Sequence, residues 1–534
     1  MEQFDYIVVG SGSAGAVVAS RLSEDFSKRV LLLESGGEYS GLQFDMVALA
    51  TLRLRGNPET DWMYVSEPDP SRANRVDPQT RGRVLGGSSS VNGTVYARGN
   101  RGDYDYWAKL GNTGWDYDSM IKIFQKMEDG RSDLENSTLY GHGGPVRISE
   151  ARGRHPLTQT FIDAMGELGV PTDRDYNDEW QTSSGICRVN QFRGKRWGTA
   201  KAYLAPARSR TNLKIVTNAL ARRVLIEERR AVGVEYDLDG QIISAKANEE
   251  VILSAGVFNS PKLLMLSGIG NPELLAEHNI SCVHANPYVG ENLHDHVGVQ
   301  MRARVHGHTA NMDNTRFRRL LLGMQYYLLG GGAATHHWPA LAFVKLSPES
   351  MYPDLQYHFG PFIVEITPQG PVFPNYGGIT MVSSINRTRS RGYVRLRSAD
   401  PAAMPVIQPN MLGDAYDLDR LVGAVHFSRR LLQTNAFRPH VIEEVSPEPG
   451  LTTRKGIEDF IQATAQSAYH NCGTVKMGID DAAVVDPRLR VVGIKGLRVA
   501  DCSIIPAVPS GNTNAVTMAI GEKAAEMIKV DENL

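Results

Sequence analysis

A strand that breaks into three spaced glycines and then a helix leaves few options other than a phosphate-binding turn, and this chain begins with one. Phe4-Asp5-Tyr6-Ile7-Val8-Val9 is largely apolar, Gly10-Ser11-Gly12-Ser13-Ala14-Gly15 follows, and an Ala/Val-rich stretch continues to near Glu24. In such a turn Gly10 makes the bend, Gly12 lets a pyrophosphate approach the backbone, and Gly15 lets the helix pack close to the strand. Free N–H groups at the helix start then face the phosphates. A second apolar run, Val30-Leu31-Leu32-Leu33, ends at Glu34, about 20 residues past the glycines. A carboxylate there accepts hydrogen bonds from a ribose 2′-OH and repels a 2′-phosphate. The chain is therefore expected to open with a dinucleotide site, and the turn alone does not say which dinucleotide.

With 534 residues the chain exceeds what one core needs, so more than one domain is expected. A net charge of −2 gives no reason to expect nucleic acid as a partner. The pairs Arg222-Arg223 and Arg229-Arg230 read as solvated faces. Cys187, Cys282, Cys472 and Cys502 are widely separated, with no Cys-x-x-Cys. That argues against a disulfide framework or a metal site and for a reducing compartment. The first strand starts close to Met1, which leaves no room for a signal peptide. The most apolar stretch, Leu320–Leu329, is too short to cross a bilayer and runs into three glycines. A cytoplasmic protein without a transmembrane segment is expected.

Residues 41–80 read as irregular cover. Gly82-Arg83-Val84-Leu85-Gly86-Gly87-Ser88-Ser89-Ser90-Val91-Asn92-Gly93-Thr94 suits neither an ordinary strand nor an amphipathic helix and suggests backbone crowded against a ligand. Strands are expected over 212–217, 223–226 and 232–236. A buried strand over 250–256 should lead into a helix over 260–268, with Pro261 in its first turn and Gly268 at its stop. From about residue 300 the texture changes. Residues 355–359, 378–384 and 392–397 alternate apolar and polar side chains, as half-buried antiparallel strands do. One face of that sheet should pack and the other should line a cavity. After about residue 480 the first texture returns, with a strand over 496–501 and a helix over 515–528. The expected class is α/β. A Rossmann-like dinucleotide domain (1–155, 197–300 and 480–534) is interleaved with an α+β substrate domain on an antiparallel sheet (156–196 and 301–479).

Three blocks resemble the glucose–methanol–choline (GMC) oxidoreductase family. They are Gly82–Tyr96, Gly256–Gly270, and a carboxyl-terminal set containing Tyr469-His470-Asn471-Cys472-Gly473, Val485-Asp486-Pro487 and Ser510-Gly511-Asn512-Thr513-Asn514. Val289–His296 is also typical, whereas Val257 departs from the small residue usual at its position. The blocks run in order over nearly the whole chain. The resemblance implies FAD. It places Gly10, Gly12, Ser13, Ala14 and Gly15 at the pyrophosphate and Glu34 at the adenosine ribose. Asn92, Gly93, Thr94 and Val95 would lie beside the isoalloxazine ring, and Val224 would meet the adenine through its backbone. Trp62 would cover the cofactor, Asp501 would sit near the ribityl–phosphate part, and Val84 and Thr513 would belong to the same lining. Some members attach the flavin through a histidine in the Gly86–Asn92 block. None occurs there in this chain, so non-covalent FAD is expected.

Alcohol oxidation removes a proton from oxygen and a hydride from carbon. Histidine is the usual base near neutral pH, and flavin N5 can take the hydride. The resemblance assigns the base to His470 and its hydrogen-bonding partner to Asn512, where many relatives carry histidine. Tyr469 would flank the flavin or the substrate. His294 and His296 read as structural hydrogen-bonding groups, and Cys472 as a small buried residue. His336 and His337 stay ambiguous between core and substrate pocket, and no metal site is expected. The aromatic and histidine residues around 335–343 and 357–362 suit a flat or apolar alcohol and fit ordinary core equally well. The leading expectation is oxidation of a primary, aryl-leaning alcohol to an aldehyde, with O2 reduced to H2O2. An aliphatic-alcohol or sugar dehydrogenase with a quinone-type acceptor is the alternative. A non-redox lyase or decarboxylase on the same scaffold, or a flavin-binding protein without catalysis, stands further off.

Overall fold

A computed structural model describes the chain apart from residues 132, 314, 368–369 and 533–534. The class is α/β, with two large sheets of seven strands each among the described residues. In the first sheet Leu213–Val216, Val30–Leu33, Glu2–Val9, Gln241–Leu253 and Leu497–Val499 run parallel. Val30–Leu33, residues 6–9 and residues 251–253 are apolar and buried, as parallel strands covered on both faces must be, while the edge strand Leu213–Val216 is only partly buried. The register is level at one end. Val9 lies opposite Leu33 and Leu253, and Leu253 lies opposite Val499. The residues that follow these strands, Gly10, Glu34, Ser254 and Ala500, therefore share one rim at the carboxyl ends, where open α/β sheets bind ligands.

The Gly15–Leu22 helix leaves the glycine turn and packs beside Asn514–Glu532. A Cβ on Gly15 would stand 1.9 Å from the Gly10 carbonyl oxygen, so only glycine permits this approach. Arg21 crosses to the buried Glu522, which Tyr203 also holds through its hydroxyl.

The strand expected to begin at Glu250 starts at Gln241, because its first half pairs antiparallel with Arg230–Leu238 and keeps one face toward solvent. Residues 41–80 are not wholly irregular. Leu42–Asp45 and Val47–Arg53 are helical, and Phe44, Ala50 and Leu54 pack with Val84 and Val91. The helix expected over 260–268 spans Gly256–Leu266, so Pro261 lies inside it. Proline cannot donate to the carbonyl four residues earlier, and the Thr474 hydroxyl takes that Val257 carbonyl instead, at 2.6 Å.

The second sheet is antiparallel, in the order Val441–Ser446, Val297–Val305, Gly378–Ile385, Leu355–Gly360, Ala340–Val344, Ser183–Ile186. One face carries Tyr357, Phe359, Ile379 and Met381 into a core with the helices Pro156–Glu167, Ala415–Leu432 and Arg454–Thr464. The opposite face points Gln300, Val382 and His358 in one row across three strands. The alternation therefore marks one packed face and one lining face. Tyr393–Arg395 does not join this sheet and pairs only with Val406–Gln408.

Among the described residues no helix is long and apolar enough to cross a membrane. Replacing Thr474 by Val should cost about 1–3 kcal/mol, the penalty for a buried carbonyl left without a donor, while Thr474→Ser should stay close to wild type. Denaturant midpoints of the two variants check this.

Candidate active site

One cavity of about 840 Å³ joins the rim of the first sheet to the lining face of the second. Gly12, Ser13 and Glu34 stand at one end, and His470, Asn512 and His358 at the other.

The first end combines open glycines, a helix start and a buried carboxylate. Ala14, at the helix start, carries no side-chain cap, and of the first-turn N–H groups Ala16 donates to the Gly12 carbonyl at 3.1 Å, which leaves its neighbours to a ligand. Gly87 has φ +53° and a Cβ on it would sit 2.7 Å from the Gly12 Cα, which brings the two glycine-rich turns into contact. A Cβ on Gly12, Gly93 or Gly256 would meet no protein atom within 4 Å, and all three line the cavity. Glu34 accepts from Ser11 N–H at 3.0 Å, from the Ser11 hydroxyl at 2.6 Å and from Gly36 N–H at 2.8 Å. Burial raises its pKa against those bonds. Asp501 is held likewise by Gly256 N–H, Ser503 N–H and the Ser260 hydroxyl, and burial raises its pKa too.

Midway, the backbone is strained beside the cavity. Thr94, a β-branched residue, has φ +60°. Its N–H donates to Asn92 Oδ1 at 3.0 Å, and its hydroxyl accepts from Gln191. The buried Arg196 donates to the same Asn92 oxygen at 2.7 Å, and burial lowers its pKa to about 10. His336 Nε2 holds the Gly93 carbonyl at 2.8 Å. Burial lowers the His336 pKa to about 4, so it acts as a neutral brace for this loop. His337, by contrast, lines the cavity.

At the far end lies a chain of hydrogen bonds that settles which nitrogen carries each proton. His296 Nε2 is 3.0 Å from the Asn386 carbonyl, which can only accept, so Nε2 carries the proton. Burial holds the His296 pKa down to about 4, so the ring is neutral and its Nδ1 bare. That nitrogen is 2.9 Å from His470 Nδ1, which must donate to it. Burial first, then His296, His358 and Arg81, push the His470 pKa well below normal. His470 is thus neutral, with its lone pair on Nε2. Asn512 Nδ2 donates to that lone pair at 2.9 Å, and Gln356 fixes the amide by donating to Asn512 Oδ1 at 2.9 Å. Asp295 anchors the His470 backbone N–H at 2.8 Å, and burial raises its own pKa to about 6. Tyr469 is 40% exposed at φ +64° and presents its ring to the cavity.

Most residues singled out in the sequence line this cavity: Gly10, Gly12, Ser13, Ala14, Glu34, Trp62, Asn92, Gly93, Thr94, Val95, Tyr469, His470, Asp501, Asn512 and Thr513. Gly15, Val84 and Val224 do not. Gly15 is walled off by Gly10, and Val84 packs with Phe44 and Leu54. Val224 gives its N–H to the Ser267 hydroxyl, and Ala219–Ala221 form the wall nearby. Cys472 is buried against His294 Nε2 at 3.3 Å, and burial raises its pKa far above that of a reactive thiol. Among the described residues no cluster of three metal-ligating side chains occurs. Arg55, Arg81, Trp338 and His358 were not expected as individual lining residues. His358 and Trp338 had a signal, His358 on the lining face of an alternating strand and Trp338 within the aromatic stretch 335–343, and Arg55 and Arg81 had none.

The chain belongs to the GMC oxidoreductases, whose family pattern it matches over residues 4–298 and 388–521. An oxygen-dependent choline dehydrogenase of Rhizobium johnstonii is 40% identical over 531 residues, covering 98% of this chain and 95% of that one. Pyridoxine 4-oxidase from Mesorbium loti superposes with a TM-score of 0.88 at 29% identity, covering 98% of both chains. Formate oxidase does so with a TM-score of 0.93 at 28% identity, over 100% of this chain and 99% of that one. The protein is accordingly an FAD-dependent oxidoreductase acting on CH–OH donors. The cavity fits that cofactor: open glycines and an uncapped helix start lie at one end, and a buried Asn471 Nδ2 without a partner lies in the wall.

Because a Cβ on Gly12 would enter ligand space and meet no protein atom within 4 Å, Gly12→Ala should fold normally and lose FAD. Flavin-to-protein absorbance should fall by at least about tenfold, while the melting temperature of the flavin-free form stays at the wild-type value.

Proposed function

We propose that this protein oxidises a primary aryl alcohol to the aldehyde and passes the electrons to O2, giving H2O2. The observation that carries the reading is the neutral His470, with its Nε2 lone pair facing the cavity beside the Asn512 amide. An alcohol that enters there takes the place of Asn512 as hydrogen-bond donor to His470 Nε2 and gives that nitrogen its proton, and the displaced Asn512 Nδ2–H turns to the alcohol oxygen as negative charge builds on it. Bound FAD supplies the hydride acceptor. The second hydrogen bond, His470 Nδ1–H to His296, steadies the imidazolium that results. Non-covalent attachment is part of this reading, since Ser, Val and Asn side chains, and no histidine, occupy residues 88–92. Acid precipitation should then release the yellow colour into the supernatant.

Planar and imidazole groups support an aryl substrate. His337, Trp338, His358 and Phe362 share the reacting end with Tyr469, and Trp338 contacts both His358 and Phe362. The lining carboxylates, Glu34 and Asp501, are committed at the cofactor end. Arg55 and Arg81 line the wall, and neither suits a cationic alcohol such as the choline in the curated relatives' name. O2 as acceptor is supported by "oxygen-dependent" and "oxidase" in the names of the relatives. The four cysteines are free, which fits a reducing compartment, the cytoplasm.

Anaerobic benzyl alcohol should bleach the flavin, and in air it should yield one peroxide per aldehyde. Bleaching without peroxide, with dye reduction only, would replace O2 by a quinone-type acceptor. His470→Ala should lower the bleaching rate by about 10²–10⁴-fold with FAD retained.

The rate should also stay flat from pH 8 to pH 6. Protonation would remove the lone pair on Nε2, and a pKa pushed down keeps the base neutral across that range. A histidine of ordinary pKa would be about three-quarters protonated at pH 6 and lose about fourfold. His296→Leu removes the acceptor for Nδ1–H and should slow bleaching by at least about tenfold at unchanged FAD content.

A further inference from the structure

The cavity wall contains a guanidinium with nothing to hold. Arg55 follows the Val47–Arg53 helix and lines the cavity with its centre 5.2 Å above the Tyr469 ring. Its Nε is buried and has no hydrogen-bond partner. Among the described residues no carboxylate forms an ion pair with it. The other cations in the wall are engaged: Arg81 donates to the Thr80 carbonyl and to Asn471 Oδ1, and Lys262 donates to the carbonyls of Pro401 and Ala403, each at 2.6 Å. The carboxylates of the wall are engaged too, Glu34 by Ser11 and Gly36, Asp501 by Ser260, Gly256 and Ser503.

Leaving charged donors unmatched in a partly enclosed site is costly, and a ligand that brings an acceptor removes that cost. The cofactor's phosphates belong to the glycine turn at the opposite end. Arg55 stands at the reacting end, over the residue that precedes His470, and near enough to His337 to help burial and His336 keep that ring neutral. The residue as a whole is half-buried.

We infer that Arg55 recognises a carboxylate on the substrate, so that the preferred alcohols are aryl alcohols carrying an acid group away from the CH2OH. The guanidinium fork takes a carboxylate through two parallel N–H bonds. The anion stays toward Arg55 while the hydroxymethyl group reaches His470 Nε2. This rests on the reading of the His470 end as the alcohol site, and it adds a specificity determinant that the proton chemistry does not require.

Benzoate, which cannot be oxidised, and benzamide, its neutral isostere, separate the two claims. Their dissociation constants for the holoenzyme are measured from the perturbed flavin spectrum. Turnover of para-(hydroxymethyl)benzoate is compared alongside with turnover of its methyl ester, as the ratio of their kcat/KM values. Benzoate should bind at least about tenfold tighter than benzamide, and the acid should exceed its ester in kcat/KM by a similar factor. Arg55→Met should bring both ratios to about one, and Arg55→Lys should keep part of each. Equal binding of benzoate and benzamide, or a preference that survives Arg55→Met, overturns the assignment. Arg55-dependent benzoate binding without any bleaching by alcohols leaves the anion site standing and removes the oxidation reading. Bleaching with ratios of one does the reverse.

Discussion

The carbonyl of Asn386 decides which nitrogen of His470 carries a proton. It accepts from His296 Nε2, which leaves His296 Nδ1 bare, which draws the His470 proton to Nδ1, which leaves His470 Nε2 free to accept. Gln356 orients Asn512 from the other side. The members of this chain come from distant parts of the sequence. Gln356 belongs to the antiparallel sheet, Asn386 follows its Gly378–Ile385 strand, His296 precedes its Val297–Val305 strand, and Asn512 precedes the last helix. The parts of the chain that carry them must therefore be assembled before His470 is held in this tautomer.

Burial is the second half of that arrangement. A lone histidine in water divides its time between charged and neutral forms near neutral pH. Here His296, His358 and His470 sit within reach of one another in a dry wall, and desolvation keeps each of them neutral. At the opposite end burial works against Glu34 and Asp501, whose short hydrogen bonds from hydroxyl and backbone donors oppose the desolvation. One cavity thus offers uncapped N–H groups to an anion at one end and a neutral lone pair to a proton at the other. Strained Thr94 and Tyr469 lie between and beside these ends, where the backbone turns side chains toward the ligand.

Much of this was legible in the sequence because local chemistry dictates it. The glycine turn, the acid at Glu34 and the alternating strands each follow from short-range rules and reappear at the rim or on the lining face. The signals that failed are tertiary. Val224 has the pattern of a strand residue, yet its N–H is taken by Ser267, so the wall passes to Ala219–Ala221. Pro261 looked like a first-turn residue because Thr474, more than 200 positions away, supplies the missing donor. His296 read as structural, and nothing in its neighbourhood in sequence could reveal that its partner is the ring of His470. Arg55 lies in a stretch where the helical spacing of Phe44, Ala50 and Leu54 is masked by mixed polarity, so its place over Tyr469 could not be anticipated.

The most direct test is the protonation state of His470 itself, read from the 15N chemical shifts of its imidazole nitrogens and assigned by difference from the His470→Asn variant. The hydrogen-bond chain predicts a neutral ring protonated on Nδ1, unchanged from pH 8 to pH 6. An imidazolium at pH 7, or a neutral ring protonated on Nε2, would contradict it.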